Sequence, residues 1–466
     1  MLAGCTVGPD FLAPAPPPVA GYLPGGPGIA TIRGADVSER WWKVFRSRAL
    51  DRLIQDGIDN NQDLAAAEAA MRAAQANALS LRATLFPVLS ASFDASRQLT
   101  PSQTLQTNAA SGADTYSLHT PQVSVSFVPD VFGGTRRAVE SAQAQADAAG
   151  FQREAVYTTL ASNIALAAIQ EASLRGQIAA TTRLIGIQTQ LLDILRRQND
   201  RGQIALPDVV AQETAVAQAR LLLPPLEKQL AQQRNLLATL TGRFAGNGLP
   251  AAFELQSFGL PPRLPLSLPA DLIRQRPDIR AAEANLHAVN AQIGVAIANR
   301  LPQITLTGNA GSSADALSRL FSPGTIFWTV AGNAVQTVFD AGARYHRQQA
   351  AEAATEQAAA QYRSTVLVAF QNVADVLRAL QADARALSAA VAAEQAASRS
   401  LDLVRRQLEQ GQVSLPILLN AQQAYLQTSL ARVQAEAARL ADIVALFQAL
   451  GGGWWNRWEA TVMPPD

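Results

Sequence analysis

The sequence predicts a mainly α-helical protein with a small β part, built as an internal tandem duplication. Three observations support this prediction: a repeat along the chain, two very long helical segments, and four short segments in which apolar and polar residues alternate. In the repeat, Asp278-Ile279 falls on Asp63-Leu64 after a shift of 215 residues, and the turn at Gly411 falls on the turn at Gly202 after a shift of 209. Repetition on this scale sets the architecture of the whole chain.

Each copy has the same order: an Ala-rich helix, two alternating segments, a very long helix, a turn and a returning helix. Pro87 ends the first Ala-rich helix, because proline cannot continue the hydrogen-bond ladder. Segments rich in Gly and Pro mark an arm, a linker and a tail outside the copies. The predicted boundaries are 1–40 for an extended N-terminal arm, 41–242 for the first repeat (helices 50–86 and 133–242, strands about 88–98 and 118–130), 243–269 for the linker, 270–450 for the second repeat (helices 270–300 and 340–450, strands about 303–311 and 326–338) and 451–466 for a C-terminal tail.

The long helices carry a repeat of about 3.5 residues, which predicts that they wrap around neighbouring helices as a coiled coil. The polar members of the series predict that one side of this seam meets water. The series are Leu174, Ile178, Thr181, Ile185, Gln188, Leu192 and Leu195 in the first copy, and Val376, Leu380, Asp383, Leu387, Ala390, Glu394, Ala397, Leu401, Val404 and Leu408 in the second.

The four alternating segments, each of about ten residues, match the length that a tilted strand needs to cross a bilayer. An open sheet in hydrocarbon leaves backbone groups unpaired along its edges, at a cost of several kcal/mol per group. Four strands from one chain must therefore close with further copies. Two, three or four chains would give eight, twelve or sixteen strands, and periodicity alone does not choose among them.

Composition excludes several classes of protein. The net charge of +1 provides no global field for nucleic acid, and no run of about 18 apolar residues offers a transmembrane helix. The single cysteine, Cys5, excludes an internal disulfide framework. His119, His287 and His346 lack partners at metal-ligand spacing, and the position of the single cysteine leaves no Cys–His pair. We therefore predict no enzyme and no cofactor.

Two turns are predicted to reverse the chain at the ends of the long helices. Glycine permits a left-handed helix end, and proline opens the returning helix. Each turn also carries aliphatic residues at an expected extreme tip, which indicates contact with a partner. The aliphatic residues are Ile204 and Leu206 in the first turn, and Val413 and Leu415 in the second.

Four motifs together resemble the outer membrane efflux protein family, in particular the lipoproteins of its nodulation-type branch. They are the lipobox-like Leu2-Ala3-Gly4-Cys5, Trp41-Trp42, Phe132-Gly133-Gly134 with Arg136, and Arg276-Pro277-Asp278-Ile279-Arg280-Ala281-Ala282-Glu283. The resemblance implies a homotrimer in which a long-helix α-barrel is continuous with a twelve-stranded transmembrane β-barrel, with the linker in an equatorial region. It also implies a bacterial outer membrane location with a long periplasmic extension. The implied partners are outer membrane lipid, a periplasmic membrane-fusion adaptor and an inner-membrane resistance-nodulation-division pump.

The resemblance carries roles onto individual residues. Cys5 becomes the lipidation site, and a signal region is expected to precede Leu2. Many relatives carry a ring of carboxylates just after the second turn, where this chain has Ile417 and Asn420, so we expect a constriction formed more by apolar contact than by a dense acidic ring. The predicted constriction residues are Asp208, Leu415, Ile417 and Asn420. The predicted adaptor-facing tips are Gly202, Gln203, Ile204, Ala205, Leu206, Pro207, Asp208, Gly411, Gln412, Val413, Ser414, Leu415 and Pro416.

The function implied is a passive exit duct for drugs and small amphiphilic compounds. Two alternatives share parts of the pattern. A type I secretion duct would pass unfolded polypeptide through the same architecture, and a neighbouring gene for an ATP-driven exporter would favour it. A soluble coiled-coil scaffold with hairpins would stay in the supernatant after detergent-free fractionation.

Overall fold

The structure is a computed structural model that describes residues 6–24, 26, 31–100, 114–248, 252–261 and 263–458. It confirms a mainly helical chain with a small β part. The elements, apart from four short 3₁₀ turns, are β1 (Thr31–Arg33), α1 (Arg48–Asn60), α2 (Gln62–Ala83), β2 (Val88–Thr100), β3 (Asp114–Phe127), α3 (Gly134–Asp200), α4 (Leu206–Leu221), α5 (Leu223–Leu240), β4 (Leu264–Leu266), α6 (Pro269–Gln275), α7 (Pro277–Ala298), β5 (Gln303–Ser312), β6 (Ile326–Val335), α8 (Ala343–Glu409), α9 (Leu415–Ala449) and α10 (Trp455–Trp458).

Breaks within the predicted helices have local causes. The predicted helix 50–86 divides at Asn61, whose backbone is extended and whose side-chain oxygen accepts from the N–H groups of Asp63 and Leu64 at 2.9 and 3.0 Å. Asn61 is therefore the N-cap of α2. The predicted helix 133–242 divides at the turn after Asp200 and again at Leu222, just before the consecutive prolines 224 and 225.

Arg276 has a structural role in the Arg276-Pro277-Asp278 motif of the second copy. The predicted helix 270–300 divides at this residue, and Pro277 opens α7. The Arg276 guanidinium pairs with Asp278 at 2.6 Å and donates to the backbone carbonyl of Ala449 at 3.1 Å. A cation at the end of α9 satisfies a carbonyl that has no partner within the helix. The motif therefore joins the end of α9 to the start of α7.

Two compact units make up the described chain, and each draws on both halves of the sequence. Unit 1 contains the described residues of 1–14, 71–148 and 282–362, and unit 2 contains those of 15–70, 149–281 and 363–466. The two sequence repeats are therefore not the compact units. The repeat boundaries stay a prediction.

Unit 1 holds a four-stranded sheet in the order β2-β3-β5-β6, with every neighbouring pair antiparallel. β3 begins at Asp114 and ends at Phe127, and β6 ends at Val335, so both strands end before the predicted 130 and 338. β2 and β6 are the two edges, and neither has a second strand beside it within the described chain.

The core of unit 2 includes parts of the arm and linker that were predicted to lie outside the helices. Val37 of the arm is fully buried in this core, and Phe253 and Phe258 of the linker are buried as well. β1 from the arm pairs in parallel with β4 from the linker. The arm and the linker therefore contribute apolar side chains and a strand pair to this core, while their boundaries stay a prediction.

The buried carboxylate of Glu171 connects three segments of unit 2. It accepts from Arg175 of its own helix and from Arg234 of α5, both at 2.9 Å, and from the backbone N–H of Phe253 at 3.1 Å. Glu171 is fully buried. A buried charge is tolerated when it is both paired and hydrogen-bonded, as it is here.

The predicted seam residues are buried or half-buried along both long helices. The prediction that one side of the seam faces bulk water is wrong at Thr181 and Gln188, which are 0% and 5% exposed. The Thr181 hydroxyl donates to the Gln177 carbonyl of its own helix at 2.8 Å, and the Gln188 amide donates to Gln422 of α9 at 3.2 Å. Polar side chains at seam positions therefore find partners inside the bundle.

Asp442 of α9 lies beside Asp383, a polar seam residue of α8. Burial, together with the charge of Asp383, raises the pKa of Asp442 to about 7. The folded state consequently binds more protons than the unfolded state between the ordinary carboxyl range and about pH 7. Stability contributed by protonation of Asp442 is present at low pH and is lost as the pH rises through its raised pKa.

We predict that the thermal unfolding temperature falls between about pH 4 and about pH 7, because deprotonation of Asp442 places its charge beside Asp383. The Asp442→Asn variant should remove most of this dependence. Unfolding of the detergent-solubilised protein, followed by circular dichroism across that range, measures it. Asp375→Asn, at an exposed position on α8, is the control. An Asp442→Asn variant with the wild-type slope would contradict the prediction.

Candidate functional site

The four-stranded sheet of unit 1 has two chemically different faces. The register aligns the row Leu89, Val125, Gly308 and Val330, and the row Ala91, Val123, Ala310 and Trp328, on one face. Leu89, Val330 and Trp328 are 69%, 78% and 76% exposed. An apolar face this open requires a covering that is itself apolar.

The opposite face is polar along the same strands. One row holds Ser90, Ser124, Asn309 and Thr329. The hydroxyls of Ser90 and Ser124 lie 2.7 Å apart and share a hydrogen bond. A sheet with one apolar and one polar face fits a wall between lipid and an aqueous lumen.

The two predicted tips have the same backbone geometry. At the end of α3, the N–H groups of Gly202 and Gln203 donate to the carbonyls of Asn199 and Gln198, at 2.8 and 2.9 Å. The φ angle of Gly202 is 68°. The pattern is a Schellman motif with glycine at the left-handed position.

The second tip repeats this motif at the end of α8. The N–H groups of Gly411 and Gln412 donate to the carbonyls of Leu408 and Gln407, at 2.9 and 2.8 Å, and the φ angle of Gly411 is 72°. Proline lies in the first turn of both returning helices, α4 and α9. The predicted role of the Gly-to-Pro sequences in reversing the chain is confirmed.

The aliphatic residues of the tips are mostly not exposed. Leu206 is 61% exposed, whereas Ile204 and Val413 are half-buried. Leu415 is 6% exposed and packs in an apolar cluster beneath the tips, which corrects its predicted exposure at the second tip. The cluster consists of Leu192, Leu195, Val209, Val216, Leu401, Leu415 and Leu418.

A cavity of 540 Å³ joins the two tips. Its walls include Ile194 and Leu195 of α3, Leu408 of α8, and Asp208 and Val413 at the starts of the returning helices. The structure thus brings residues of both predicted tips together in one groove. Its lining combines aliphatic side chains with the charged Asp208, Asp402, Arg405 and Glu409, which suits an amphipathic partner helix.

The remaining predicted constriction residues differ in exposure. Asp208 is half-buried in the first turn of α4, where the helix dipole favours a negative charge. Ile417 is 45% exposed, and Asn420, one turn further along α9, is also exposed. Ile417 and Asn420 are therefore available for contacts outside this chain, whereas Leu415 is not.

The first described residues of the arm are bound to unit 1, although Cys5 itself lies outside the described residues. The buried Arg137 donates to the carbonyls of Val7 and Gly8 at 3.2 and 3.3 Å and pairs with Asp10 at 2.7 Å. A Cβ on Gly133 would lie 2.8 Å from the Cα of Thr6, so only glycine allows this close approach.

Glu140 extends this arm contact. It accepts from Arg137 and hydrogen-bonds the His287 ring, each at 2.8 Å, while Phe11 stacks on His287 with ring centres 4.4 Å apart. Burial opposes ionisation of Glu140, but the hydrogen bonds with His287 and Arg137 outweigh it and hold its pKa below the ordinary value. The carboxylate is therefore ionised around neutral pH, as its contact with the Arg137 guanidinium requires.

Sequence patterns did not indicate the arm contacts of Arg137 or the buried Gln212 and Gln422 behind the tips. Arg137 adjoins the noted Arg136, but nothing local distinguishes a buried arginine from a solvated one. Gln422 carries no signal apart from its helical spacing. Within residues 6–458 as described, no group of three or more His, Cys, Asp or Glu side chains could hold a metal ion, and no described helix is long and apolar enough to cross a membrane.

An amphipathic sheet with open edges, joined to paired helical hairpins, defines a subunit of a membrane channel. The sequence profile of the outer membrane efflux protein family matches residues 53–243 and 268–452. The chain belongs to this family.

Curated relatives and solved structures agree with the profile. The chain is 32% identical over 446 residues to the pyoverdine export outer membrane protein OpmQ of Pseudomonas putida, covering 95% of this chain and 94% of that protein. It is also 32% identical over 460 residues to the antibiotic efflux pump outer membrane protein ArpC of Pseudomonas putida, covering 98% and 94%.

Two solved channels share the fold. The outer-membrane channel OprN superposes with a TM-score of 0.88 at 26% identity, covering 97% of this chain and 100% of that one. The open state of the MtrE outer membrane channel of Neisseria gonorrhoeae gives a TM-score of 0.85 at 26% identity, covering 96% and 98%.

The tip glycines allow a controlled test of backbone strain. We predict that Gly202→Ala and Gly411→Ala each destabilise the protein by about 1 kcal/mol, because alanine is strained in the left-handed region. A Cβ at either position would meet nothing within 4 Å, so packing adds no cost.

Gly186→Ala is the matched control, since Gly186 also has open space around its Cβ position but lies inside α3. Alanine should stabilise that helix by about 0.5–1 kcal/mol. Thermal unfolding of the three variants in detergent measures the direction of each shift. Stabilisation at the tips would contradict the assigned turn geometry.

Proposed function

We propose that the protein is the outer membrane exit duct of a tripartite efflux system. It passes drugs and other small amphiphilic compounds delivered by an inner-membrane resistance-nodulation-division pump through a periplasmic adaptor. The observation that carries the proposal is the four-stranded sheet with one apolar face, one polar face and two unpaired edges. Two relatives are named for the export of pyoverdine and of antibiotics, which supports small amphiphilic compounds as the transported class. Transport through this duct is passive, and no residue has a catalytic role.

Ring closure follows from the strand directions. Because the order β2-β3-β5-β6 is antiparallel throughout, β6 of one copy runs opposite to β2 of the next and can pair with it in the same way. Three copies then give twelve strands, which is wide enough for a lumen, whereas eight strands fill their own interior. The family resemblance supports three copies.

The adaptor is proposed to bind at the tips, from Gly202 to Asp208 and from Gly411 to Pro416. The shared groove offers aliphatic side chains from both tips. The exposed Leu206 lies at the start of α4, between the groove residues Ile204 and Asp208 in sequence. A hairpin with an apolar stripe is the complementary shape.

Acylation of Cys5 is proposed to anchor the N-terminus in the outer membrane. Thr6, the next residue, is packed against Gly133, which lies six residues after the end of β3. An anchor at this place would hold the end of the membrane strand at the lipid boundary, and one chain with further membrane contact suffices for stable attachment.

The proposal is tested on the purified, acylated protein and on a deletion strain. Native mass spectrometry in mild detergent should give three copies, and planar lipid should show a conductance. The deletion strain should become sensitive to a panel of amphiphilic drugs, with recovery on complementation. A monomer without conductance would overturn the proposal. Loss of a secreted polypeptide with unchanged drug sensitivity would instead favour a type I secretion duct.

The constriction is proposed to depend on apolar contact at Ile417, with Asp208 and Asn420 nearby in the tips. We predict that Ile417→Ala raises single-channel conductance in planar lipid and increases sensitivity to large antibiotics, because a half-exposed aliphatic group is removed. Val210→Ala, at an exposed position in the first turns of α4, is the control. If the Ile417→Ala variant conducts like the control, Ile417 does not form the constriction.

A further inference from the structure

Three buried glutamines lie just behind the tips and form what we name the glutamine joint: Gln188 of α3, Gln212 of α4 and Gln422 of α9. They are 5%, 0% and 1% exposed. The Gln212 amide nitrogen donates to the backbone carbonyl of Gln188 at 2.9 Å, and the Gln188 amide nitrogen donates to Oε1 of Gln422 at 3.2 Å. The joint therefore connects three helices through hydrogen bonds, next to the apolar cluster beneath the tips.

Two oxygens of the joint have no donor. Oε1 of Gln188 and Oε1 of Gln212 are both buried and unpartnered. The orientation of Gln212 is fixed by chemistry, because a backbone carbonyl only accepts and the amide nitrogen must face it. The Gln212 oxygen is thereby turned away from the Gln188 carbonyl, where it still needs a donor. Buried acceptors in folded proteins are nearly always satisfied, by protein or by ordered water.

The chemistry of these two amide oxygens identifies the ligand that they can bind. Two neutral amide oxygens are too few for a hard cation, which takes six or more oxygens and commonly carboxylates. Water fits, because it is small, donates two hydrogens and commonly bridges buried acceptors. Gln422 also lines the cavity of 540 Å³ between the tips, which gives a route from solvent.

We propose that Gln188 and Gln212 hold ordered water, and that this makes the glutamine joint a hydrated hinge on which the tips move. Interdigitated aliphatic layers have discrete packings and resist small displacements. Water-bridged amides exchange partners as helices shift, so movement at this layer leaves no polar group bare. α4 and α9 both begin at the tips and both reach the joint. The hinge rests on the proposed channel function.

The test replaces the joint with leucine: Gln188→Leu, Gln212→Leu and Gln422→Leu together. We expect a higher unfolding temperature, a loss of open events in planar lipid of about tenfold, and lower drug resistance in the complemented strain. The matched control is Gln177→Leu with Gln434→Leu, a glutamine pair that also joins α3 and α9, at 3.3 Å, further from the tips. The control should keep wild-type opening.

The outcomes separate the hinge from the channel itself. Wild-type protein without conductance or drug export would overturn the proposed function. Active wild-type protein with a leucine triple variant that opens like the control would overturn the hinge alone. If the triple variant fails to fold, Gln212→Leu alone replaces it, with the same expected direction. A high-resolution structure should show water within hydrogen-bond distance of Oε1 of Gln212, and an unhydrated oxygen there would also overturn the proposal.

Discussion

The two unpaired edges of the four-stranded sheet are the constraint on which the rest of the molecule depends. In hydrocarbon an unpaired backbone group has no water to replace its partner, so an open sheet is excluded there. Because each chain has an even number of antiparallel strands, β6 of one copy runs opposite to β2 of the next copy. Pairing these two strands satisfies the backbone groups at both edges. The proposed assembly is thus a consequence of strand count and direction, and the apolar rows on one face determine which side meets lipid.

The two copies of the helical part end and begin their long helices with the same kinds of hydrogen bond. Both tips are Schellman motifs with glycine at the left-handed position. The starts of α3 and α8 are both capped by an aspartate, Asp130 and Asp340, which accept from backbone N–H groups of the first turn. Asp130 precedes the Val-Phe pair shared by the copies, whereas Asp340 follows it. Both copies therefore keep an aspartate to accept from the free N–H groups at the helix start, but its position relative to the Val-Phe pair differs.

How far the sequence predicts the structure depends on whether the cause is local. The long helices, the four strands and the turns at Gly202 and Gly411 follow from periodicity and from glycine and proline, which act within a few residues. The helical pattern does not predict the break at Asn61, although asparagine is a common N-cap, because the pattern continues through this residue. The burial of Leu415 and Gln188 does not follow from the local sequence for another reason. Their environments are set by helices more than 200 residues away in sequence, and polarity alone does not reveal what faces a side chain.

Buried polar contacts have a particular use in a bundle rich in small residues. Helix surfaces made largely of alanine offer shallow grooves, and neighbouring helices with such surfaces can slide without losing much contact. A hydrogen bond or ion pair between defined residues removes that freedom, since a shifted register leaves a buried group unpaired. Glu171 fixes α3 against α5, and Arg276 fixes the end of α9. Where such contacts are fully satisfied the register is rigid, and where they are hydrated, as proposed behind the tips, the same helices keep a limited freedom to move.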